Sequence, residues 1–354
     1  MRLPNRSPGY LLDEQTEKMV WPNLDLVPHF DGVPRGEYGE DICSGLEAAL
    51  ATPARQNVMV ELKKLKKSLG SGGTHLGSFF NRFPVEYDRE QESMRRGKEK
   101  KPLDQLSEDG KKLALNGFFV KHLTEERVKQ INDQLGADIH RLLNKEPVRS
   151  FRAYDRSEFY TSGPNVKLID DTLRESGSIQ AAEEYFGFSM RVFSVTLHIS
   201  FPDDVHFNQV FSDKKYTPKT CGLHYDPKSG TIKSILYLKN ITEDDGPFTY
   251  LPKTHNFINP PLERLSAKAN CTTNYLDSPE ARASFMKLPE KMRKTSIFGT
   301  LTDDSDELSN KILEREKPFL SEDGDVIVFD PGMQHRGGMC KSGRRISLQI
   351  AIRG

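Results

Sequence analysis

Alternation of apolar and polar residues in the second half of the chain is the feature that most limits how it can fold. Four apolar residues recur at every second position of one segment, namely Val195, Leu197, Ile199 and Phe201. Further strands are predicted at 232–238, 248–251, 326–329 and 346–352. A period of two is typical of a strand with one buried face. Because turns rather than helices separate most of these strands, the sequence predicts an antiparallel barrel or jelly roll.

Residues 1–105 are predicted to be a partly helical N-terminal extension without an assignable function. Helix formers run from Leu46 to Leu69 and are interrupted at Pro53. Residues 86–101 are a mixed-charge run with almost no apolar side chain. Such a run is typical of a solvated helix or a loose linker.

Residues 106–354 are predicted to form one domain, mainly β with flanking helices. Ser107 and Thr124 are predicted helix N-caps, and Asn116-Gly117 is predicted to end the first of these helices. The domain carries a long, polar and partly helical insertion at 255–322, with predicted helices at 278–286 and 304–314. Two interpretations remain open for it, a lid over a binding site or a peripheral decoration.

Composition argues against several classes of partner. Lys+Arg and Asp+Glu number 51 each, so the net charge gives no reason to expect a nucleic acid. No apolar run has the length of a membrane span, and no apolar signal segment follows Met1. The four cysteines are scattered without a C-x-x-C pair. We therefore expect a cytoplasmic protein with a small-molecule partner; its oligomeric state is not predicted.

A candidate metal site begins with His224-Tyr225-Asp226. In an extended segment, residues two apart point to the same side, so the imidazole and the carboxylate can reach a common point. His335 follows the predicted strand 326–329 and the turn Asp330-Pro331-Gly332. Two imidazoles and one carboxylate are the ligand set of non-haem Fe(II) oxygenases. A second His-x-Asp pair, His29-Phe30-Asp31, lies in a turn-rich segment and is predicted to be a surface loop.

Arg345 and Ser347 are predicted to share one face of the last strand, with Arg344 on the other. A guanidinium fork and a hydroxyl that point the same way suit a carboxylate held end-on. An isolated Arg-Ser pair is usually structural. Because this pair follows His224, Asp226 and His335 in the chain, we interpret the five residues as one site rather than as a chance combination.

These segments together resemble the phytanoyl-CoA dioxygenase-like family of Fe(II)/2-oxoglutarate oxygenases. The resemblance extends from about Leu106 to the C-terminus. It also includes Gly246-Pro247-Phe248-Thr249-Tyr250-Leu251-Pro252-Lys253-Thr254-His255, which is similar to a family hairpin in which Gly-Ser stands in place of Lys253-Thr254. The resemblance implies a double-stranded β-helix, which is a distorted jelly roll of the cupin-like type, with helices on its outside.

The resemblance also implies roles for individual residues. His224, Asp226 and His335 match the iron ligands. Arg345 matches the residue that pairs with the distal carboxylate of 2-oxoglutarate, and Ser347 assists it. The implied reaction uses dioxygen, releases succinate and hydroxylates or otherwise oxidises a small metabolite. His255 matches a position that is not a ligand, and His198 is interpreted as a core histidine in preference to a cosubstrate contact.

Two other functions remain open. A zinc hydrolase could use the same three ligands, although it would have no need of Arg345 and Ser347 to hold a carboxylate. A barrel that serves only as a binding module would require the metal site to be vestigial. A halide-binding site is disfavoured because Asp226 occupies the position that is Ala or Gly in related halogenases.

Overall fold

The computed structural model describes residues 32–52, 54–70, 73–97, 101–144, 148–149, 154–202, 223–224, 226, 230–255, 260–270, 279–294, 296, 310, 313–338 and 340–354. The chain divides into two compact units. One unit is built from helices and the other carries the β-sheets. His29 and Asp31, and residues 304–309 and 311–312 of the predicted helix 304–314, lie outside the described residues.

Six α-helices with defined bounds belong to the helical unit. They are α1 (Ser44–Leu50), α2 (Arg55–Leu69), α3 (Gly73–Arg96), α8 (Pro261–Asn270), α9 (Pro279–Met286) and α10 (Glu290–Arg293). The break between α1 and α2 falls at the predicted position, and so does helix α9. After α2 the chain turns at Gly70, whose φ of 73° lies in the region that favours glycine.

The core of the helical unit combines residues from both ends of its sequence. Leu62, Phe79 and Phe83 come from α2 and α3, while Leu265 and Phe285 come from the helices of the insertion. The insertion therefore supplies part of a hydrophobic core. Its role as a lid stays a prediction.

The mixed-charge run 86–101 is less solvated than its composition predicts. Its first turns belong to α3, and Glu86 and Glu90 are buried there. Glu90 accepts hydrogen bonds from the Arg264 guanidinium, one of them from Nε at 2.9 Å. Burial would raise the pKa of Glu90, but the Arg264 charge and its hydrogen bonds outweigh burial and lower that pKa to about 2.

The sheet unit contains a seven-stranded and a three-stranded sheet, and every pairing in them is antiparallel. The larger has the order β1-β8-β5-β10-β4-β3-β2 and the smaller β7-β6-β9. The strands are β1 (Phe118–His122), β2 (Val148–Arg149), β3 (Tyr154–Tyr160), β4 (Arg191–Ser200), β5 (Thr231–Tyr237), β6 (Phe248–Tyr250), β7 (Lys317–Pro318), β8 (Asp325–Phe329), β9 (His335–Gly337) and β10 (Arg345–Arg353).

Four helices accompany these sheets, namely α4 (Glu108–Asn116), α5 (Glu125–Leu143), α6 (Pro164–Glu175) and α7 (Ser178–Phe186). The antiparallel sheets with flanking helices are confirmed. Helices also form the other unit, so the chain is mixed helix and sheet rather than mainly β. The two sheets are not closed into a barrel, and the double-stranded β-helix stays a prediction.

The two faces of the large sheet are buried in different ways. On one face Val195, Leu197 and Ile199 of β4 are fully buried, and α6 packs against this strand. On the other face Tyr237 and Phe329 belong to an aromatic cluster that includes residues of the small sheet. An apolar core therefore lies between this face of the large sheet, at β5 and β8, and the small sheet.

The caps that the sequence predicts are present. Ser107 Oγ accepts from the backbone N–H of Gly110 at 3.1 Å, and Thr124 Oγ1 accepts from that of Arg127 at 3.3 Å. Gly117 ends α4 with a φ of 87°, and a Cβ there would lie 2.9 Å from Nδ1 of His255. Only glycine tolerates both this positive φ and the close approach of the His255 ring.

Among the described helices, none combines the length and the apolar composition that crossing a membrane requires. The compartment in which the protein acts stays a prediction.

We predict that Glu90→Gln lowers the free energy of unfolding by about 3–5 kcal/mol, because it leaves the Arg264 charge buried without its carboxylate. Urea denaturation at neutral pH measures this change. Asp88→Asn is the matched control on the same helix, since Asp88 pairs with Arg55 at the exposed surface, and we expect it to cost at most about 1 kcal/mol. Equal costs for the two variants would contradict the prediction.

The pH dependence of stability has a predicted sign. Because the pKa of Glu90 is lower in the folded chain than its usual value of 4.5, the ionised carboxylate stabilises the fold above about pH 4.5. This contribution is lost as the pH falls from 4.5 toward 2. Urea midpoints measured across that window should fall more steeply for the unmodified protein than for Glu90→Gln, and parallel curves would count against the assignment.

Candidate metal and carboxylate site

Three side chains that the sequence singles out lie together in the structure. One ligand atom from each of His224, Asp226 and His335 can be chosen so that all three lie within 4.8 Å of one another. His335 is 4% exposed, while His224 and Asp226 are half-buried.

The backbone determines which nitrogen of His335 is available. Its Nδ1 lies 2.6 Å from the carbonyl oxygen of Met333. Because a carbonyl can only accept a hydrogen bond, Nδ1 must carry the proton and donate it. Nε2 then carries the lone pair that can bind a metal, and the hydrogen bond to Met333 fixes the orientation of the ring.

The turn that precedes His335 is held by several hydrogen bonds. Asp330 Oδ2 accepts from the Tyr185 hydroxyl at 2.7 Å, and Asp330 Oδ1 accepts from the backbone N–H of Gly332 at 2.7 Å. The backbone N–H of Gln334 donates to Thr254 Oγ1 at 2.9 Å. The Asp-Pro-Gly turn is readable from the sequence, whereas Tyr185 and Thr254 come from distant segments and had no signal of their own.

Aromatic rings enclose His335. The Phe329 ring centroid lies 5.1 Å from that of His335, in an edge arrangement, and that of Phe248 lies 5.6 Å away. Both phenylalanines belong to the core between the sheets. These rings keep the imidazole away from water, which strengthens its hydrogen bond to Met333.

His255 is buried but does not belong to this group of donors. Its Nε2 donates to the carbonyl oxygen of Ala114 at 3.0 Å, while Nδ1 has no hydrogen-bond partner within the described residues. Burial lowers the pKa of His255, so its ring is neutral at neutral pH. This geometry agrees with the expectation that His255 is structural.

Arg345 lies at the start of β10, directly opposite Ser200 of β4. Its Nη2 donates to Ser200 Oγ at 2.9 Å, and its Nη1 donates to the carbonyl oxygen of Gly338 at 3.1 Å. A Cβ on Gly337 would lie 3.7 Å from Nη2. The guanidinium is thus held beside the backbone of β9, whose first residue is His335.

Ser347 and two polar side chains occupy one row across the large sheet. Ser347 lies opposite Tyr237 of β5 on one side and opposite His198 of β4 on the other. Because directly paired residues of antiparallel strands point to the same face, all three share the face that carries Arg345. Ser347 and Tyr237 are almost completely buried, and His198 is half-buried.

Tyr237 and Ser200 are the residues near Arg345 that the sequence analysis missed. The hydroxyl of Tyr237 accepts a hydrogen bond from the backbone N–H of Phe248 at 2.7 Å, which connects the two sheets. The signal that places Tyr237 here is its register opposite Ser347. Strand pairing is needed to find it, and a single sequence does not provide that pairing.

The donor atoms fit the group that the resemblance implies. Two imidazoles and a carboxylate suit a non-haem iron, and His335 presents the correct nitrogen. Arg345 and Ser347 lie on one face, as a bound carboxylate would require. The same three ligands also suit zinc, so the ligand set alone does not select the metal.

The chain is similar to several proteins of known structure. No curated protein sequence matches it. Among solved structures, the non-haem 2-oxoglutarate-dependent carbocyclase SnoK from nogalamycin biosynthesis aligns at a TM-score of 0.41 and 13% identity, over 71% of this chain and 85% of SnoK.

Two further structures align at similar levels. EctD from S. alaskensis, solved with 2-oxoglutarate and 5-hydroxyectoine, has a TM-score of 0.39 and 13% identity over 69% of this chain and 74% of EctD. HygX from Streptomyces hygroscopicus, solved with nickel and 2-oxoglutarate, has a TM-score of 0.39 and 14% identity over 70% of this chain and 86% of HygX.

The family comparison covers the segment that contains all the candidate residues. Residues 203–347 match the family model described as phytanoyl-CoA dioxygenase (PhyH). This span contains both the three grouped metal donors and the Arg345–Ser347 pair. The resemblance that the sequence predicts is confirmed by this match, which covers residues 203–347.

Proposed function

We propose that the protein is an Fe(II)/2-oxoglutarate-dependent dioxygenase that hydroxylates or otherwise oxidises a small molecule and converts 2-oxoglutarate to succinate. The observation that carries this proposal is the grouping of His224, Asp226 and His335 within 4.8 Å. The PhyH match over the same segment supports it. The proposal includes a double-stranded β-helix as the architecture of the sheet unit.

The three grouped side chains would hold the metal. When bound, iron and 2-oxoglutarate supply the activation of dioxygen and the oxidising chemistry, which the protein's side chains cannot provide. His335 offers Nε2 because its Nδ1–H is committed to Met333. Asp226 would supply a negative charge to the metal. Because it occupies the position that is Ala or Gly in related halogenases, it favours hydroxylation, desaturation or ring closure over halogenation.

Arg345 and Ser347 would hold the distal carboxylate of 2-oxoglutarate. Ser200 and the Gly338 carbonyl fix the Arg345 fork before any ligand arrives, so little conformational freedom is lost on binding. Phe248 and Phe329 exclude water next to His335. In this arrangement the chain's own contribution is to position the groups and to keep the site dry.

Zinc hydrolysis is the competing function for the same ligands. The buried hydroxyl of Ser347 and the fixed guanidinium of Arg345 favour the oxygenase, because a hydrolase needs no anchor for a dicarboxylate cosubstrate.

The first test is spectroscopic and needs no substrate. We expect Fe(II) and 2-oxoglutarate, added without oxygen, to produce a visible metal-to-ligand charge-transfer band. Asp226→Ala should abolish or strongly weaken this band because it removes the anionic ligand. Asp244→Ala, which changes an exposed carboxylate on the turn Glu243–Asp245, should leave the band unchanged. A folded protein without the band would contradict the proposal.

The second test concerns Arg345. We predict that Arg345→Lys weakens 2-oxoglutarate binding about tenfold or more, because an ammonium cannot reproduce the two-pronged hydrogen bonding of a guanidinium. Titration of the charge-transfer band measures the dissociation constant. Arg344→Lys is the matched control, since Arg344 is the exposed neighbour of Arg345. Unchanged affinity in Arg345→Lys would refute the assignment of the distal carboxylate.

A further inference from the structure

Two arginines lie side by side at the C-terminal end of β10. Arg353 of β10 is directly opposite Arg191 of β4, and directly paired residues of antiparallel strands point to the same face. Like charges in this arrangement destabilise the pairing of the strands. An anion bound between the two guanidinium groups would remove that cost.

No carboxylate of the described part of the chain supplies this negative charge. Arg174, on helix α6, has the Asp170 carboxylate as its ion-pair partner at 2.8 Å. Across the residues that the structure describes, no such partner pairs with Arg191 or Arg353. The residue opposite Arg353 on β5 is the neutral Thr231. The pair of arginines is therefore left with an excess of positive charge.

An aromatic ring holds the guanidinium of Arg353. Its Cζ lies 4.2 Å from the centroid of the Phe193 ring. Stacking of this kind uses the flat face of a guanidinium and leaves its in-plane N–H groups for hydrogen bonds. Nε of Arg353 is buried and has no hydrogen-bond partner among the described residues. Part of this cation has thus lost water without gaining an acceptor, which strengthens its attraction for an oxyanion.

This pair is distinct from the Arg345 side chain described above. Arg353 follows Arg345 by eight residues, which corresponds to about 27 Å along an extended strand. Alternation places both on the same face of the large sheet. An anion at Arg353 would therefore be a second one, separate from any carboxylate at Arg345.

Strand register relates the arginine pair to His335. On β5, Lys233 lies opposite Ala351 of β10 and opposite Phe329 of β8. Arg353 follows Ala351 by two residues, so two strand spacings and two residues separate it from Phe329, a distance of roughly 12 Å. The Phe329 ring centroid lies 5.1 Å from that of His335. One small molecule is long enough to extend from the arginine pair toward His335.

Exposed aromatic rings accompany the two arginines. Phe193 is 44% exposed and Phe159 is 62% exposed. Phe159 of β3 lies opposite Thr196 of β4, on the sheet face that carries Arg353. Large apolar rings beside a cation suit a ligand that has an apolar or aromatic body next to its anionic group.

We propose that Arg191 and Arg353, with Phe193, bind an oxyanion of the molecule that the enzyme oxidises, either a carboxylate or a phosphate. The assignment of this oxyanion to the substrate rests on the proposed function. The substrate class is then a small acid or phosphate ester with an apolar body. The carbon that is oxidised lies away from its anionic end.

The first test measures oxyanion binding to the metal-free protein, so it does not depend on the reaction. Nitrogen-15-labelled protein is titrated with phenyl phosphate and with phenylacetate at constant ionic strength. The Nε–H resonance of Arg353, identified by its nuclear Overhauser contact with the Phe193 ring, is followed. We expect a saturable shift with at least one of the two, which distinguishes phosphate from carboxylate, and no shift with the neutral benzyl alcohol.

Variants connect this shift to the pair. Arg191→Gln changes an exposed side chain and should weaken binding of the oxyanion about tenfold, because it removes a charged donor. Arg344→Gln is the matched control, since Arg344 is an exposed arginine next to the other end of β10, and it should leave the dissociation constant unchanged. The absence of a saturable shift with either oxyanion, or equal affinity in Arg191→Gln, would overturn the inference.

The second test concerns the substrate. Fe(II)- and 2-oxoglutarate-loaded protein is assayed for succinate formation with pairs of compounds, each an acid or phosphate ester and its neutral methyl ester. We expect stimulation by the anionic member of a pair, and Arg191→Gln should raise its KM about tenfold with little change in kcat. Equal stimulation by the neutral esters, or an unchanged KM, would refute the assignment to the substrate.

The outcomes separate this inference from the proposed function. If the protein gives no charge-transfer band with Fe(II) and 2-oxoglutarate, the proposed function fails, and the oxyanion site is still decided by the titration of the metal-free protein. If the band forms and neither oxyanion shifts the Arg353 resonance, only the inference about the arginine pair fails.

Discussion

The pairing of β10 with β4 and β5 is the constraint on which the candidate site depends. This register places Arg345 opposite Ser200, and Ser347 opposite both His198 and Tyr237. Side chains of a strand alternate between its faces, so a shift of one residue would move Arg345 and Ser347 to the face that carries Leu348 and Ile350. Those two apolar residues are buried, and the cost of exposing them fixes the register. The hydrophobic pattern of β10 thereby orients its polar residues.

A second constraint acts at the distal histidine. The turn from Asp330 to His335 has little regular structure of its own, yet its polar groups are paired with Tyr185, Thr254, Gly332 and the Met333 carbonyl. Buried polar groups that are satisfied in this way have one favourable arrangement, because any other leaves donors or acceptors without partners. The turn can therefore present Nε2 of His335 in a defined direction. A metal ligand must point in a fixed direction, and these hydrogen bonds provide that direction.

In the helical unit, a buried pair of opposite charges likewise has one favourable arrangement. Glu90 and Arg264 are both buried, and each would be unfavourable alone. Their hydrogen bonds compensate for the loss of water, and Lys268 lies near the same carboxylate. The pair links α3 to α8, two helices from distant parts of the chain. A charged run that looks solvated in the sequence can thus contain residues essential for packing.

Much of the architecture was readable from local pattern. The caps Ser107 and Thr124, the glycine turn at Gly117 and most of the strands depend on short-range stereochemistry and on alternation, which a single sequence displays directly. The same holds for the spacing of His224 and Asp226, since neighbours two apart share a side in any extended segment. The burial of Glu90 was not readable, because its partner Arg264 is more than a hundred residues away in the chain.

The sequence by itself determined which residue types were available: two histidines and an aspartate for a metal, and an arginine and a serine for a carboxylate. Only the tertiary structure decided which of them meet and what surrounds them. The selection of Nε2 on His335, the clamp of Ser200 and Gly338 on Arg345, and the place of Tyr237 opposite Ser347 all arise from contacts between segments far apart in the chain. Such contacts depend on strand register and on hydrogen bonds between distant segments, and neither property is local.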